Sequence, residues 1–201
     1  PSKGALGRLD KYDIDTIVNY INNKKLTSST IGDLPNNEIL ISKNVDEVSN
    51  TNVDFIKIGV YEKGYINTLS KIRSCKMLIA VFFADKFLPT KKDIETLKNS
   101  GFKGVMIDTS DKKSGNLFNY KSYLEIKNFL TVARNMNLLT GIAGSINESH
   151  INDIIKLNPN YMGFRGALCE NRTMRNSKIS VDSVNNIVSL VKNCKSIPIN
   201  A

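Results

Sequence analysis

The chain has 201 residues, of which 41% are hydrophobic and 23% are charged, a balance that is typical of a folded globular domain and excludes a disordered chain. The 28 Lys and Arg residues outnumber the 19 Asp and Glu residues, and the net charge of +9 favours an anionic partner such as a phosphorylated small molecule. Because the basic residues form no run longer than a pair, we expect no nucleic acid partner.

Short apolar runs alternate with amphipathic stretches along the chain. The first helical pattern covers 14–23, where apolar residues recur at spacings of three and four. Six strands are predicted over 26–33, 53–60, 77–85, 104–110, 138–146 and 161–169. Further helices are predicted over 44–50, 65–73, 91–100, 120–136, 147–157 and 181–193. This β-α order predicts a parallel sheet with helices outside it.

The repeated unit predicts an α/β fold of the TIM-type (β/α)8 barrel class, whose active site lies at the carboxyl ends of the strands. An open doubly wound sheet is the alternative, but no G-x-G-x-x-G fingerprint follows the first strand. Six strands fall short of the eight in such a barrel. We therefore predict a single, N-terminally truncated barrel domain over residues 1–201 that lacks the first β-α-β unit.

The second predicted strand, "VDFIKIGV" (53–60), carries a lysine among apolar and β-branched residues. Side chains alternate along a strand, so Lys57 shares the inward face with Phe55 and Gly59. Burial lowers the pKa of an amine and makes it available as a base or a nucleophile at neutral pH. The structural alternative is a salt bridge between Lys57 and Asp108, which alternation also places inward.

Polar and glycine-containing segments follow the later strands. The segment "DTSDKK" (108–113) brings Asp108, Asp111 and Lys112 to the carboxyl end of the sheet, although a charged surface turn would have the same composition. The strand ends "IAGSI" (142–146) and "FRGALCENR" (164–172) favour phosphate binding, because small residues let backbone N–H groups approach an anion. Arg165 or Arg172 could add a bidentate contact.

The cysteines, the histidine and the apolar segments argue against a disulfide-stabilised, metal-binding or membrane protein. The three cysteines have no paired spacing, which is typical of free thiols in a reducing compartment. With His150 as the single histidine, which we expect at the surface, the sequence favours no metal site. No segment predicts a bilayer span or a signal peptide, so we expect a cytoplasmic protein with no membrane partner.

Several motifs together resemble those of the (5-formylfuran-3-yl)methyl phosphate synthase family of methanofuran biosynthesis. They are "GALG", "STIGDLP", "VDFIKIGVY", "FFAD", "GVMIDTSDKKSGNLFNY", "IAGSI", "HI" and "YMGFRGALC", in family order and spacing. The resemblance implies a (β/α) barrel that condenses two molecules of glyceraldehyde 3-phosphate by lysine imine chemistry, with no metal or organic cofactor. It also implies a small phosphosugar as the substrate.

The resemblance also implies roles for individual residues. Lys57 would be the general acid/base lysine, and Asp108 would act with Lys112 at the end of a later strand. Gly144, Ser145, Arg165 and Gly166 would hold a substrate phosphate. In the family, an Asp-x-Lys motif on a strand before the "P-x-x-G-x-L-G" segment supplies the imine lysine, and we expect that strand to be absent from this chain, which begins at Pro1.

Three functions follow as alternatives. The first is the lyase-type furan synthase that the resemblance implies, which we expect to be active only when the missing segment is supplied. The second is a phosphosugar-binding module that has lost the imine lysine and has no catalytic activity. The third is a different lysine-dependent aldolase in which Lys57 itself forms the imine. Assembly into a homo-oligomer is compatible with each of them.

Overall fold

The computed structural model describes residues 6–111, 114–172, 174 and 177–195. In this part of the chain the strands are β1 (Ser28–Thr30), β2 (Phe55–Val60), β3 (Met77–Phe83), β4 (Gly104–Asp108), β5 (Leu139–Ile142) and β6 (Tyr161–Met162). The helices are α1 (Lys11–Ile21), α2 (Glu38–Ser49), α3 (Tyr65–Leu69), α4 (Lys91–Asn99), α5 (Leu117–Tyr120), α6 (Tyr123–Asn135), α7 (Ile151–Leu157) and α8 (Val181–Lys195). Short 3-10 helices cover Glu148–His150 and Gly166–Leu168.

The six strands form one sheet in chain order, and each strand runs parallel to its neighbours. The sheet is curled, with the helices outside it, and within the described residues β1 and β6 do not pair with each other. This arrangement is a partial (β/α) barrel, which confirms the predicted fold class and the predicted number of strands.

Side-chain alternation separates two apolar layers across the sheet. The layer between sheet and helices includes Ile56, Ile58, Val60, Val105 and Ile107, together with apolar residues of the helices. The layer inside the barrel is smaller and consists of Leu6, Ile79, Val81, Phe83, Met106 and Ala143, with Phe55, Tyr61 and Tyr161 at its border. Phe55 borders the inner layer while Ile56 and Ile58 belong to the outer one, so the predicted inward face of β2 is confirmed.

The helices α2 and α4 begin at capping side chains, and apolar periodicity alone does not predict these positions. Helix α2 begins at Glu38, six residues before the predicted start at 44, because the Asn37 side chain accepts a hydrogen bond from the Leu40 N–H and caps it. Helix α4 begins with a capping box in which Thr90 and Asp93 satisfy each other's backbone N–H groups. These caps determine where each helix leaves the sheet.

The last predicted strand is much shorter than expected. The prediction covered 161–169, but β6 ends at Met162 and a 3-10 helix occupies Gly166–Leu168. In the described residues β6 pairs on one side alone, with β5, so little cross-strand hydrogen bonding extends it. The residues after β6 are consequently free to form the loop that carries Arg165.

Candidate active site

Lys57 lies in the middle of β2 and its side chain points into the barrel. Its neighbours Ile56 and Ile58 belong to the outer apolar layer, so the alternation of the strand turns Lys57 inward. The Nζ atom lies 5.5 Å from the centroid of the Tyr161 ring on β6. The predicted orientation of this lysine is therefore confirmed.

The surroundings of the Lys57 amine favour its neutral form. Burial lowers its pKa below that of a lysine in water, and the carboxylate of Asp108 offsets part of this shift by raising it. No ion pair joins Lys57 to a described carboxylate, so the structural salt bridge to Asp108 is not formed. The amine is therefore held near a carboxylate while keeping its own lone pair available at a lower pH than usual.

Asp108 is the last residue of β4 and is half-buried at the carboxyl end of the sheet. Its Oδ1 accepts a hydrogen bond of 2.7 Å from the Thr109 N–H, and its backbone carbonyl accepts one of 2.8 Å from the Ala84 N–H. The carboxylate is close enough to Lys57 to raise the pKa of that amine. The structure thus brings these two predicted residues together, whereas Lys112 lies outside the described residues.

Gly144 and Ser145 follow β5 in left-handed backbone conformations, with φ of 110° and 50°. Gly144 lies against Thr109, because a Cβ at this glycine would be 2.9 Å from the Thr109 Cγ2 and 3.1 Å from its backbone nitrogen. In the described part of the chain, the N–H groups of Gly144 and Ser145 donate to no acceptor. Two adjacent N–H groups in such a turn can bind an oxyanion.

Arg165 and Gly166 follow β6, the strand next to β5. The Arg165 side chain is exposed, and its Nη1 donates to the Sγ of Cys169 at 2.9 Å. A Cβ at Gly166 would meet open space, so a ligand can approach its backbone. The pairing of Gly141 with Tyr161 and of Ile142 with Met162 puts these two glycine-containing loops at neighbouring strand ends. Phosphate binding by this pair of loops remains a prediction.

A second arginine considered for phosphate binding is occupied. Both terminal nitrogens of Arg172 donate to the carboxylate of Glu148, at 2.5 and 3.2 Å. This fork geometry uses the donors that a phosphate would need. Arg165 is therefore the better candidate of the two.

A family model of 4-HFC-P synthase matches residues 1–188 of the sequence. The chain belongs to the 4-HFC-P synthase family. A protein of Methylorubrum extorquens is 31% identical to it over 173 residues, which cover 84% of this chain and 71% of the relative. The (5-formylfuran-3-yl)methyl phosphate synthase of Methanocaldococcus jannaschii is 26% identical, and that match covers 96% of this chain and 88% of the relative. The resemblance that the motifs indicate is thus confirmed.

Among solved structures, the deoxyribose phosphate aldolase from Aeropyrum pernix superposes with a TM-score of 0.56 at 11% sequence identity. The superposition covers 92% of this chain and 73% of the aldolase. At this identity the likeness concerns the fold alone. It agrees with the partial barrel that the strand order of this member of the 4-HFC-P synthase family shows.

Tyr161 is a candidate site residue that sequence reasoning missed. Its ring packs over Gly141, where a Cβ would lie 2.3 Å from the tyrosine Cζ, and its face is turned to the Lys57 ammonium. Its buried hydroxyl finds no hydrogen-bond partner among the described residues, and burial raises its pKa. Alternation along "YMGFR" puts Tyr161 on the same face as Gly163 and Arg165, so the sequence carried a signal for this residue.

Tyr61 and Asp33 form a second polar pair at this end of the barrel. The Tyr61 hydroxyl donates to Asp33 Oδ1, and the same carboxylate oxygen accepts the Leu6 N–H at 2.9 Å. The Tyr61 ring stacks on Phe83, with centroids 4.6 Å apart. Burial raises the pKa of Tyr61, and the hydrogen bond to Asp33 adds to the shift. This phenol is therefore neutral and acts as a hydrogen-bond donor.

His150 is half-buried rather than fully at the surface as predicted. Its ring stacks on Phe118 with centroids 5.5 Å apart, and its Nδ1 accepts the Asn147 N–H at 3.0 Å. The residue thus completes the cap of the 3-10 helix over Glu148–His150. Its contacts explain its position by local structure and give it no part in the chemistry.

The described residues hold neither a cluster of metal ligands nor a helix that could cross a membrane. Over residues 6–111, 114–172, 174 and 177–195, no three His, Cys, Asp or Glu side chains are grouped so that they could hold a metal ion. Over the same ranges, no helix has both the length and the apolar character that crossing a bilayer requires.

Proposed function

We propose that the chain makes (5-formylfuran-3-yl)methyl phosphate from two molecules of glyceraldehyde 3-phosphate. Membership of the 4-HFC-P synthase family gives the class of product. The observation that carries the chemistry is the Lys57 amine, which lies inside the barrel with a pKa lowered by burial. Such an amine can remove a proton next to a carbonyl group at neutral pH.

The overall reaction balances without an oxidant or a reductant. Two triose phosphates contribute six carbons, and the furan product retains all six together with one phosphate. One phosphate and two water molecules leave as the new carbon–carbon bond forms and the ring closes. Each elimination requires a proton to be taken from carbon and another to be given to a leaving oxygen, so acid/base groups suffice for these steps.

Lys57 and Asp108 are the groups that we assign to proton transfer. In its neutral form, Lys57 takes the proton next to the substrate carbonyl, and in its protonated form it returns a proton to a leaving oxygen. The Asp108 carboxylate stabilises the ammonium that forms in between, since its charge raises the pKa of Lys57. Lys112, which the family resemblance pairs with Asp108, keeps its predicted catalytic role in this proposal.

The substrate phosphate is assigned to the loops after β5 and β6. The N–H groups of Gly144 and Ser145 are without described acceptors, and Gly166 leaves its backbone accessible. Arg165 adds an exposed positive side chain from the loop after β6, the strand next to β5. The net charge of +9 also attracts doubly charged substrates to the protein. A cytoplasmic location stays a prediction that rests on the spacing of the three cysteines in the sequence.

The test is to incubate the chain with glyceraldehyde 3-phosphate and to follow the furan aldehyde by its mass and ultraviolet absorbance. Lys57→Ala is the diagnostic variant, and Lys103→Ala is its control because Lys103 is an exposed lysine just before β4. We expect product from the wild-type chain and from the control, and loss of product from Lys57→Ala. Product formation by Lys57→Ala at the wild-type rate would contradict the assignment.

Borohydride trapping separates the alternatives. An adduct at Lys57 after reduction with triose phosphate would favour a lysine-dependent aldolase in which this residue forms the imine. Binding of the triose phosphate with neither adduct nor product would favour the phosphosugar-binding module. The furan product without an adduct at Lys57 would support the proposed acid/base role.

A further inference from the structure

The motif "FFAD" at the end of β3 contains a carboxylate that the proposed reaction does not use. Asp85 accepts a hydrogen bond of 2.6 Å from the Ser110 N–H, a second from the Ser110 hydroxyl and a third of 3.1 Å from the Asp111 N–H. All three donors belong to the segment that begins immediately after Asp108. One side chain therefore holds the start of this loop.

The loop start that Asp85 holds is connected to two parts of the candidate active site. On one side, the Thr109 N–H donates to the carboxylate of Asp108 at 2.7 Å. On the other side, Thr109 packs against Gly144, so closely that a Cβ there would be 2.9 Å from the threonine methyl group. A shift of residues 109–111 would therefore move the Asp108 carboxylate and the turn assigned to phosphate together.

We propose that Asp85 is a positioning residue, which keeps the Asp108 carboxylate in place beside Lys57 by fixing residues 109–111. The inference rests on the proposed function, since it concerns the geometry of that reaction. Hydrogen bonds to an ionised carboxylate are stronger than those between neutral groups. The three hydrogen bonds that Asp85 accepts from Ser110 and Asp111, called the clasp below, therefore hold residues 109–111 firmly. Burial raises the pKa of Asp85, but these hydrogen bonds outweigh burial and lower it overall, which keeps the carboxylate ionised.

Asp54 offers a matched control at the opposite end of the sheet. Its carboxylate accepts the Thr27 N–H at 2.6 Å and the Thr27 hydroxyl at 2.9 Å, the same pair of donors that Ser110 supplies to Asp85. Asp54 directly precedes β2, at the amino ends of the strands and away from Asp108. Loss of this carboxylate therefore reproduces the structural cost without disturbing the active-site geometry.

The experiment compares Asp85→Asn with Asp54→Asn in the full chain. Asparagine keeps one acceptor oxygen but replaces the other with an NH2 donor, which cannot accept from a backbone N–H, so the set of three hydrogen bonds is broken. For Asp85→Asn we expect faster hydrogen exchange at the Ser110 and Asp111 amides and a kcat lower by about 10- to 100-fold at nearly unchanged KM. Because Asp108 raises the pKa of Lys57, its displacement should also shift the pH dependence of Lys57 acetylation to lower pH.

For Asp54→Asn we expect wild-type kcat and an unchanged Lys57 titration, with faster exchange confined to the Thr27 region. A wild-type kcat in Asp85→Asn, despite faster exchange at Ser110 and Asp111, would overturn the positioning role. Unchanged exchange at these amides would overturn the clasp itself. A wild-type chain that makes no furan product would count against the proposed function alone, and the Lys57 titration of Asp85→Asn would still decide the positioning role.

Discussion

The two ends of the sheet use similar polar groups in opposite ways. At the amino ends, Asp54 accepts two hydrogen bonds from Thr27, and Asn160 accepts two from Thr140, so these polar groups are satisfied by the fold. In the interior and at the carboxyl ends, the Tyr161 hydroxyl and the N–H groups of the Gly144 turn have no described partner. An unsatisfied buried polar group costs about 1–3 kcal/mol, so the Tyr161 hydroxyl does not add to the stability of the fold as the groups at the amino ends do.

The largest effect should come from Lys57→Ala, which removes the amine from the barrel interior. We expect kcat to fall about 1000-fold, as is usual for the loss of a general acid or base, while folding is retained. Since the charged amine is poorly solvated in the folded state, the variant should be at least as stable as the wild type at pH 7. Steady-state kinetics and thermal unfolding measure both effects, and a large loss of stability would show that Lys57 is structural.

Asp108→Asn should have the next largest effect, through the charge next to Lys57. The kcat should fall about 10- to 100-fold, because the carboxylate no longer stabilises the ammonium. The neutral amine is the base, so activity rises with pH through the lowered pKa of Lys57. Without the Asp108 charge that pKa falls further, and the rising limb of the pH profile should move to lower pH. A limb that stays in place would contradict the coupling of the two residues.

Gly144→Ala and Gly166→Ala compare the two loops assigned to phosphate. Gly144 has a φ of 110° and no room for a Cβ beside Thr109, so this change should cost about 1–3 kcal/mol of stability as well as activity. A Cβ at Gly166 meets open space, so Gly166→Ala should leave unfolding unchanged and raise KM about 10-fold, the value of one hydrogen bond to an anion. Unchanged KM in Gly166→Ala would remove this loop from the phosphate site.

The smallest effect on activity is expected at the amino ends of the strands, where the polar groups already have partners. Asp54→Asn should lower the free energy of unfolding by about 1–2 kcal/mol and leave kcat and KM at wild-type values. Hydrogen bonds from Thr27 lower the pKa of Asp54, so its contribution is present above the pKa of the unfolded chain and is lost as pH falls through the lower folded value. The stability difference between the variant and the wild type should therefore shrink in acid. A change in KM would show that the amino ends of the strands also affect substrate binding, which would contradict the difference between the two ends of the sheet.

The sheet and the direction of Lys57 were predictable because both depend on local periodicity. Alternation has a period of two, so a single buried strand such as "VDFIKIGV" determines which residues face inward. Helix α2 was predicted to begin six residues too late, because its start depends on the Asn37 cap and not on apolar spacing. The 3-10 helix after β6 was missed because apolar spacing does not show how many neighbours a strand has. Within the described residues β6 pairs with β5 alone, and the strand ends early.

Contacts between distant segments explain what the sequence left out of the candidate site. Tyr161 owes its place beside Lys57 to the missing side chain at Gly141, on a neighbouring strand. Asp85 and Ser110 are 25 residues apart, and no spacing rule connects a strand-end aspartate with a loop serine on the next unit. The glycines after β5 and β6 were found because parallel strands bring their carboxyl ends to one side.

The order of the strands has a consequence for how the chain folds. Every strand pairs with the one before it in the sequence, and paired residues are between 20 positions apart, for Gly141 and Tyr161, and 35 positions apart, for Gly104 and Leu139. Closing loops of 20 to 35 residues costs a similar entropy for every unit, because this cost grows only with the logarithm of the loop length. The sheet can therefore grow one strand at a time from its amino-terminal side while the ribosome is still delivering the rest of the chain.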